Sequence, residues 1–84
     1  MNPSHLVDAT TSLIRKMHQG DSSCSHKIGD QVYKSASENG DRHTVGESGV
    51  VTGSMAAFGK EAYLVKFSGT PVETFILGEK LTKL

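Results

Sequence analysis

The sequence predicts a mainly β domain, an N-terminal α-helix followed by a five-stranded antiparallel barrel. Three observations lead there. Apolar residues recur at helical spacing over the first eighteen positions, at Leu6, Leu13 and Met17, with Val7 and Ile14 beside them. From Lys27 the texture changes to short runs of β-branched and aromatic residues punctuated by glycine. No helical period separates those runs, so the strands pair as neighbours without crossover helices.

The elements follow in order. The helix spans 2–19. Asn2 supplies a cap, and Pro3 falls at the first helical position, where its missing N–H costs nothing. Asp8 lies toward the start, and Arg15, Lys16 and His18 lie toward the end, which suits the helix dipole. Gly20 is the expected stop. Residues 20–26, GDSSCSH, are small and polar and read as a flexible linker. The barrel then occupies 27–84. Its first strand is expected over 28–35, and a polar loop with an Asn39-Gly40 turn follows over 36–44. The second strand is expected over 50–52, and 53–59 as a connection or a bent strand. Strands are expected over 62–67 and 72–77, and a last one over 81–84 after a one-turn reversal at 78–80. Closure of so short a set of strands would remove the exposed edges that invite aggregation. Val32, Val50, Val65, Phe67, Ile76 and Leu81 are expected to point inward, and Lys34, Lys66 and Glu73 outward.

Length and composition narrow the function. Eighty-four residues form one small domain with a modest core. There is no Trp and aromatic residues are 6% of the chain, so that core is expected to rest on Val, Ile, Leu and a few rings, Tyr33, Phe58, Tyr63, Phe67 and Phe75. Nine basic and nine acidic residues balance. A nucleic-acid binder draws most of its affinity from a basic excess, so that class ranks second. One cysteine, Cys24, excludes an internal disulfide. No apolar run reaches membrane-spanning length and no signal peptide opens the chain. Cytoplasmic residence, with no membrane contact, is the expectation.

The element order resembles that of the SH3-like barrels. The residues that carry the resemblance are Gly29-Asp30-Gln31-Val32, Gly46-Glu47-Ser48-Gly49-Val50-Val51, Tyr63-Leu64-Val65-Lys66-Phe67, and Phe75-Ile76 with Leu81 five positions on. The resemblance is at the level of the fold, covers about residues 27–84, and leaves the helix unmatched. Such barrels include KOW-type modules of the ribosome and of transcription, Tudor-like domains, and accessory subunits of photosystem I and of ferredoxin–thioredoxin reductase. One enzyme, the trimethoprim-insensitive dihydrofolate reductase, uses this kind of barrel with Val-Gln-Ile-Tyr on its active-site strand. This chain has Glu73-Thr74-Phe75-Ile76 there, so that activity is not carried over. A fold of this kind hosts many functions, and the site must decide.

Chemistry-bearing residues are sparse. Cys24 and His26, with His18 and His43, are too few and too scattered for a four-ligand zinc site. A Cys24–His26 nucleophile pair would need a fixed base and a dry pocket, which a serine-rich linker does not offer. Glycine-rich phosphate-binding patterns are absent. No catalytic residue, metal or cofactor is assigned, and the chain is not expected to be an enzyme. Lys27, Lys34, Arg42, His43, Lys60 and Lys66 alternate with acids and read as a solvated mixed surface. The loop Met55-Ala56-Ala57-Phe58 stands out as apolar between glycines. Exposed apolar patches mark partner sites. The expected function is therefore a non-catalytic protein-interaction or accessory module that binds an unidentified protein through Tyr33, Met55, Phe58 and Phe75. The alternative is a KOW- or Tudor-like nucleic-acid binder. The competing expectation is that the chain's own helix, or a second copy in a homodimer, covers this surface, since a core this small gains from extra burial.

Overall fold

The computed structural model describes the backbone of residues 3–84 and the side chains of 11–84. The expected cap Asn2 and the side chains of Leu6, Val7 and Asp8 lie outside those described residues. Helix α1 runs Pro3–Gln19. It stops at Gly20, whose φ of +80° is a left-handed value that favours glycine and whose N–H donates to the Met17 carbonyl at 3.0 Å.

Five strands follow, β1 (Gln31–Lys34), β2 (Ser48–Ala57), β3 (Lys60–Phe67), β4 (Thr74–Leu77) and β5 (Leu81–Lys83). All pair antiparallel in one sheet, in the order β4-β3-β2-β1-β5. The expected neighbours β3 and β4 do pair, with Tyr63 opposite Ile76 and Leu64 opposite Phe75. The sheet is not closed into a barrel. β4 and β5 remain its two edges, because the chain passes between them through a single 3-10 turn, Gly78–Lys80, and β5 pairs only with β1.

Of the two expectations for 53–59, a connection or a bent strand, the second describes 53–57. Residues 48–57 form one long strand that includes the expected 50–52, with an irregularity between Val51 and Gly53, so Thr52 is the extra residue of a bulge. Gly53 sits where α1 crosses. A Cβ there would lie 2.9 Å from Leu64 Cδ1 and 3.1 Å from the Met17 carbonyl oxygen, so only glycine lets the helix end rest on β2. Met17 is buried at that crossing, whereas Leu13 and Ile14, 44% and 40% accessible, project beyond it. The helix therefore packs on its own sheet by its last turn.

The inner face holds Val32, Val51, Tyr63, Val65, Phe67, Ile76 and Leu81, with Cys24 closing one end. Two expectations are corrected. Val50 faces outward, across from exposed Gln31 and Lys66, and Val51 takes the inner place. Lys34 points inward at 2% accessibility, because it stands two residues from Val32 and shares its face.

Segment 20–26 is not a flexible linker. Asp21 N–H donates to Ser54 Oγ at 2.9 Å, and the Asp21 carboxylate accepts from the N–H groups of Ser23 and Ala56. Ser25 donates twice to Glu61, and His26 N–H donates to the Tyr63 hydroxyl. Small polar residues here are anchors for backbone groups of β2 and side chains of β3. Cys24 is buried among them, and desolvation, then the charges of Asp21 and Glu61, push its thiol pKa up. A thiol held that way is protonated at neutral pH and a poor nucleophile.

Candidate functional site

Two surfaces carry chemistry, an apolar strip on the outer face and a polar seam between the sheet edges. The strip begins at the β2–β3 hairpin. Ala57 pairs with Lys60, so Phe58 and Gly59 form a two-residue turn. Their φ values are +54° and +74°, the signature of a type I′ turn, whose twist matches the flanking strands. Position 58 of such a turn favours asparagine or glycine. Phenylalanine is disfavoured there, since its Cβ crowds the backbone at positive φ. Phe58 is also fully exposed. Among the described residues the most exposed aromatic ring is thus held in a backbone conformation that works against it.

From this tip the outer face continues across three strands. Met55 of β2 faces Ala62 of β3, and Ala62 faces Leu77 of β4. Phe75, two residues from Leu77 and on the same face, is 56% accessible. Leu64 beside it is buried near the point where the helix end crosses Gly53, and His18 joins the start of β4 through Glu73 at 2.9 Å. The geometry therefore brings Met55 and Phe75 onto one face with Phe58 at its end. It does not bring in Tyr33. That ring lies on β1, opposite Ser48 and Thr82, with β2 and β3 between it and Phe75. At about 4.8 Å per strand, three spacings or about 14 Å of sheet width lie between their strands, and they are offset along the strands as well.

The polar seam was not visible as a site in the sequence. The loop after β1 folds back over the open end of the roll. His43 is buried and stacks on Phe67, ring centroids 4.2 Å apart and planes 26° from parallel. Its Nδ1 lies 3.2 Å from Glu47 Oε2, which only accepts, so that nitrogen carries a proton. Its Nε2 lies 3.1 Å from Thr74 Oγ1 on β4 and, in the neutral ring, accepts from that hydroxyl. Lys34 Nζ donates to the His43 carbonyl and pairs with Asp41 Oδ2 at 2.9 Å. Lys80, from the 3-10 turn, donates to both oxygens of the same carboxylate at 3.0 Å. The Glu38 N–H, then Lys34 and Lys80, hold the Asp41 carboxyl well below the usual range, and Asp41 raises Lys80 in return. Side chains, instead of a backbone ladder, line the gap between the sheet edges: His43 is tied to Thr74 of β4, and Asp41 to Lys34 of β1 and to Lys80 just ahead of β5. Lys34 and His43, expected on a solvated surface, are the buried members of that set. Lys34 meets Asp41 and His43 across one loop and His43 meets Glu47 four residues on, whereas Thr74 comes from a distant strand.

Comparison of the chain with protein-family models, curated proteins and solved structures finds no match. Among the described residues no group of three metal-ligating side chains converges, and no helix is long and apolar enough to cross a membrane.

Proposed function

We propose that the protein is a non-catalytic interaction module that inserts Phe58 into an apolar pocket of another protein, with Met55 and Phe75 extending the contact. The observation that carries this reading is Phe58 itself, fully exposed and at φ +54°. Backbone strain and exposed apolar area both work against stability, and such positions concentrate at functional sites. A buried aromatic anchor is also the residue type that dominates interface energies. A different protein is favoured over a second copy. The cleft beside the helix C-terminus, about 340 Å³, is lined largely by polar groups such as Gln19, Asp21, Ser22 and Lys27, and offers no apolar socket to a second copy. The strand order, a meander whose last strand returns to the first through one 3-10 turn, supports placing the roll among the SH3-like folds.

Phe58→Asn separates stability from binding. Asparagine suits the turn, so Tm is expected to rise by about 4–8 °C, the equivalent of about 1 kcal/mol in a domain this small. The same variant is expected to lose the partner captured by the wild-type chain from a native extract, while Tyr33→Ala keeps it. Capture of an unchanged set of proteins by Phe58→Asn would contradict the reading.

A further inference from the structure

We propose that the seam beside β4 captures the C-terminal carboxylate of a partner polypeptide whose last residues lie extended along the free edge of β4. Phe58 and Met55 take no part, and Phe75, which lines the seam, is the one residue shared with the apolar contact.

Four observations converge. The seam encloses a cavity of about 210 Å³ lined by all four residues of β4 and by Lys34, Asp41, Arg42, His43 and Lys80. That is smaller than the about 300–1,000 Å³ of typical small-molecule sites, and suits one terminal group of a larger partner.

Its charge is unbalanced. Lys34 and Lys80 share the single carboxylate of Asp41, and Arg42 has no acidic partner among the described residues. Lys34 Nζ has two acceptors for its three N–H groups. Asp41 is occupied by the Glu38 N–H and both lysines, and the acids flanking Lys80, Glu38 and Glu79, are exposed to water. A carboxylate entering the seam therefore meets three cations in a partly desolvated site, where charge-assisted hydrogen bonds are strongest.

β4 is an open edge. Every second residue turns its N–H and C=O away from β3, and no other backbone group among the described residues takes them up. An added strand would supply those bonds, as in other cases of strand addition.

The free edge is short and ends beside the cations. His43 reaches Thr74 at the start of β4, and the Gly78–Lys80 turn follows Leu77 directly, so an added strand has four residues to pair with and Lys80 at the end of them. A chain end lying there sets its carboxylate among the basic side chains.

The test follows the backbone amide signals of Thr74–Leu77 and Lys80 by NMR while N-acetyl-Thr-Val-Thr-Val is added. Three probes are compared: the peptide with a free C-terminus, the same peptide amidated, and sodium acetate. Saturable shifts confined to β4 and Lys80 are expected with the free acid. Amidation, or Arg42→Gln at its exposed position, is expected to weaken binding at least about tenfold, the loss of one charge-assisted hydrogen bond. Equal binding of the amide, full affinity in Arg42→Gln, or no saturation at millimolar peptide would overturn the proposal. Acetate giving the same shifts at the same concentrations would also overturn it, since the site would then take free anions without a strand.

Discussion

Phe67→Ala is expected to cost about 3–5 kcal/mol. Phe67 is 1% accessible, belongs to the buried cluster with Val32, Val51 and Val65, and the buried His43 ring stacks on it. Truncation leaves a cavity and also removes the floor on which the seam is built. An 84-residue domain has a total stability of about 4–13 kcal/mol, so the variant sits at or near the limit of folding. The check is a urea titration followed by far-UV circular dichroism, with Val50→Ala as the control. Val50 is on the outer face, so its truncation is expected to move the midpoint little, by less than about 0.5 kcal/mol. Equal losses for the two variants would mean that the inner and outer faces are wrongly assigned.

Asp41→Asn is expected to lower Tm by about 10–20 °C, because it leaves the Lys34 ammonium buried without its counter-charge. Replacing both members, Lys34→Met with Asp41→Asn, is expected to recover most of that loss. An apolar side chain in the same place needs no partner, and lysine already contributes an apolar stem there. A double variant no better than Asp41→Asn would show that the carboxylate matters for some reason other than Lys34.

The pH dependence has a definite sign. Asp41 is depressed in the folded state, so its contribution is present above the unfolded value of about 3.9 and is lost as pH falls through the lower, folded one. Lys80 is raised, so its share is present below about 10.4 and is lost only as pH rises through a still higher value. The Tm gap between wild type and Asp41→Asn is therefore expected to be flat from about pH 5 to pH 9. It narrows below about pH 4.

Much of the fold was legible because it depends on local signals. Glycine after the last apolar residue of the helix marked its end at Gly20, and the alternation in Tyr63-Leu64-Val65-Lys66-Phe67 placed β3 and its inner face. The same alternation, applied from Val32, would have placed Lys34 inside. The charge of lysine outweighed the period in the reading, although the period governs the direction of the side chain. The bulge at Thr52 was beyond reach, since an extra residue in one strand leaves no local mark and reverses the phase after it. Openness of the roll was equally hidden. It depends on a 3-10 turn placing β5 beside β1 and on four side chains from three segments filling the gap. Of the candidate contact residues, Phe58 was legible from composition, but its positive φ was not. Tyr33 was grouped with it only because strand order was unknown.

The open edge at β4 is the claim on which Phe75, the seam and the captured chain end all depend. Amide hydrogen exchange across Thr74–Leu77 tests it most directly. Alternation is expected, with the amides directed at β3 exchanging slowly and those directed at the seam exchanging at rates near those of loops. Uniform slow exchange along all four residues, together with close β4–β5 backbone proton contacts, would mean that the sheet closes on itself and that no edge is free.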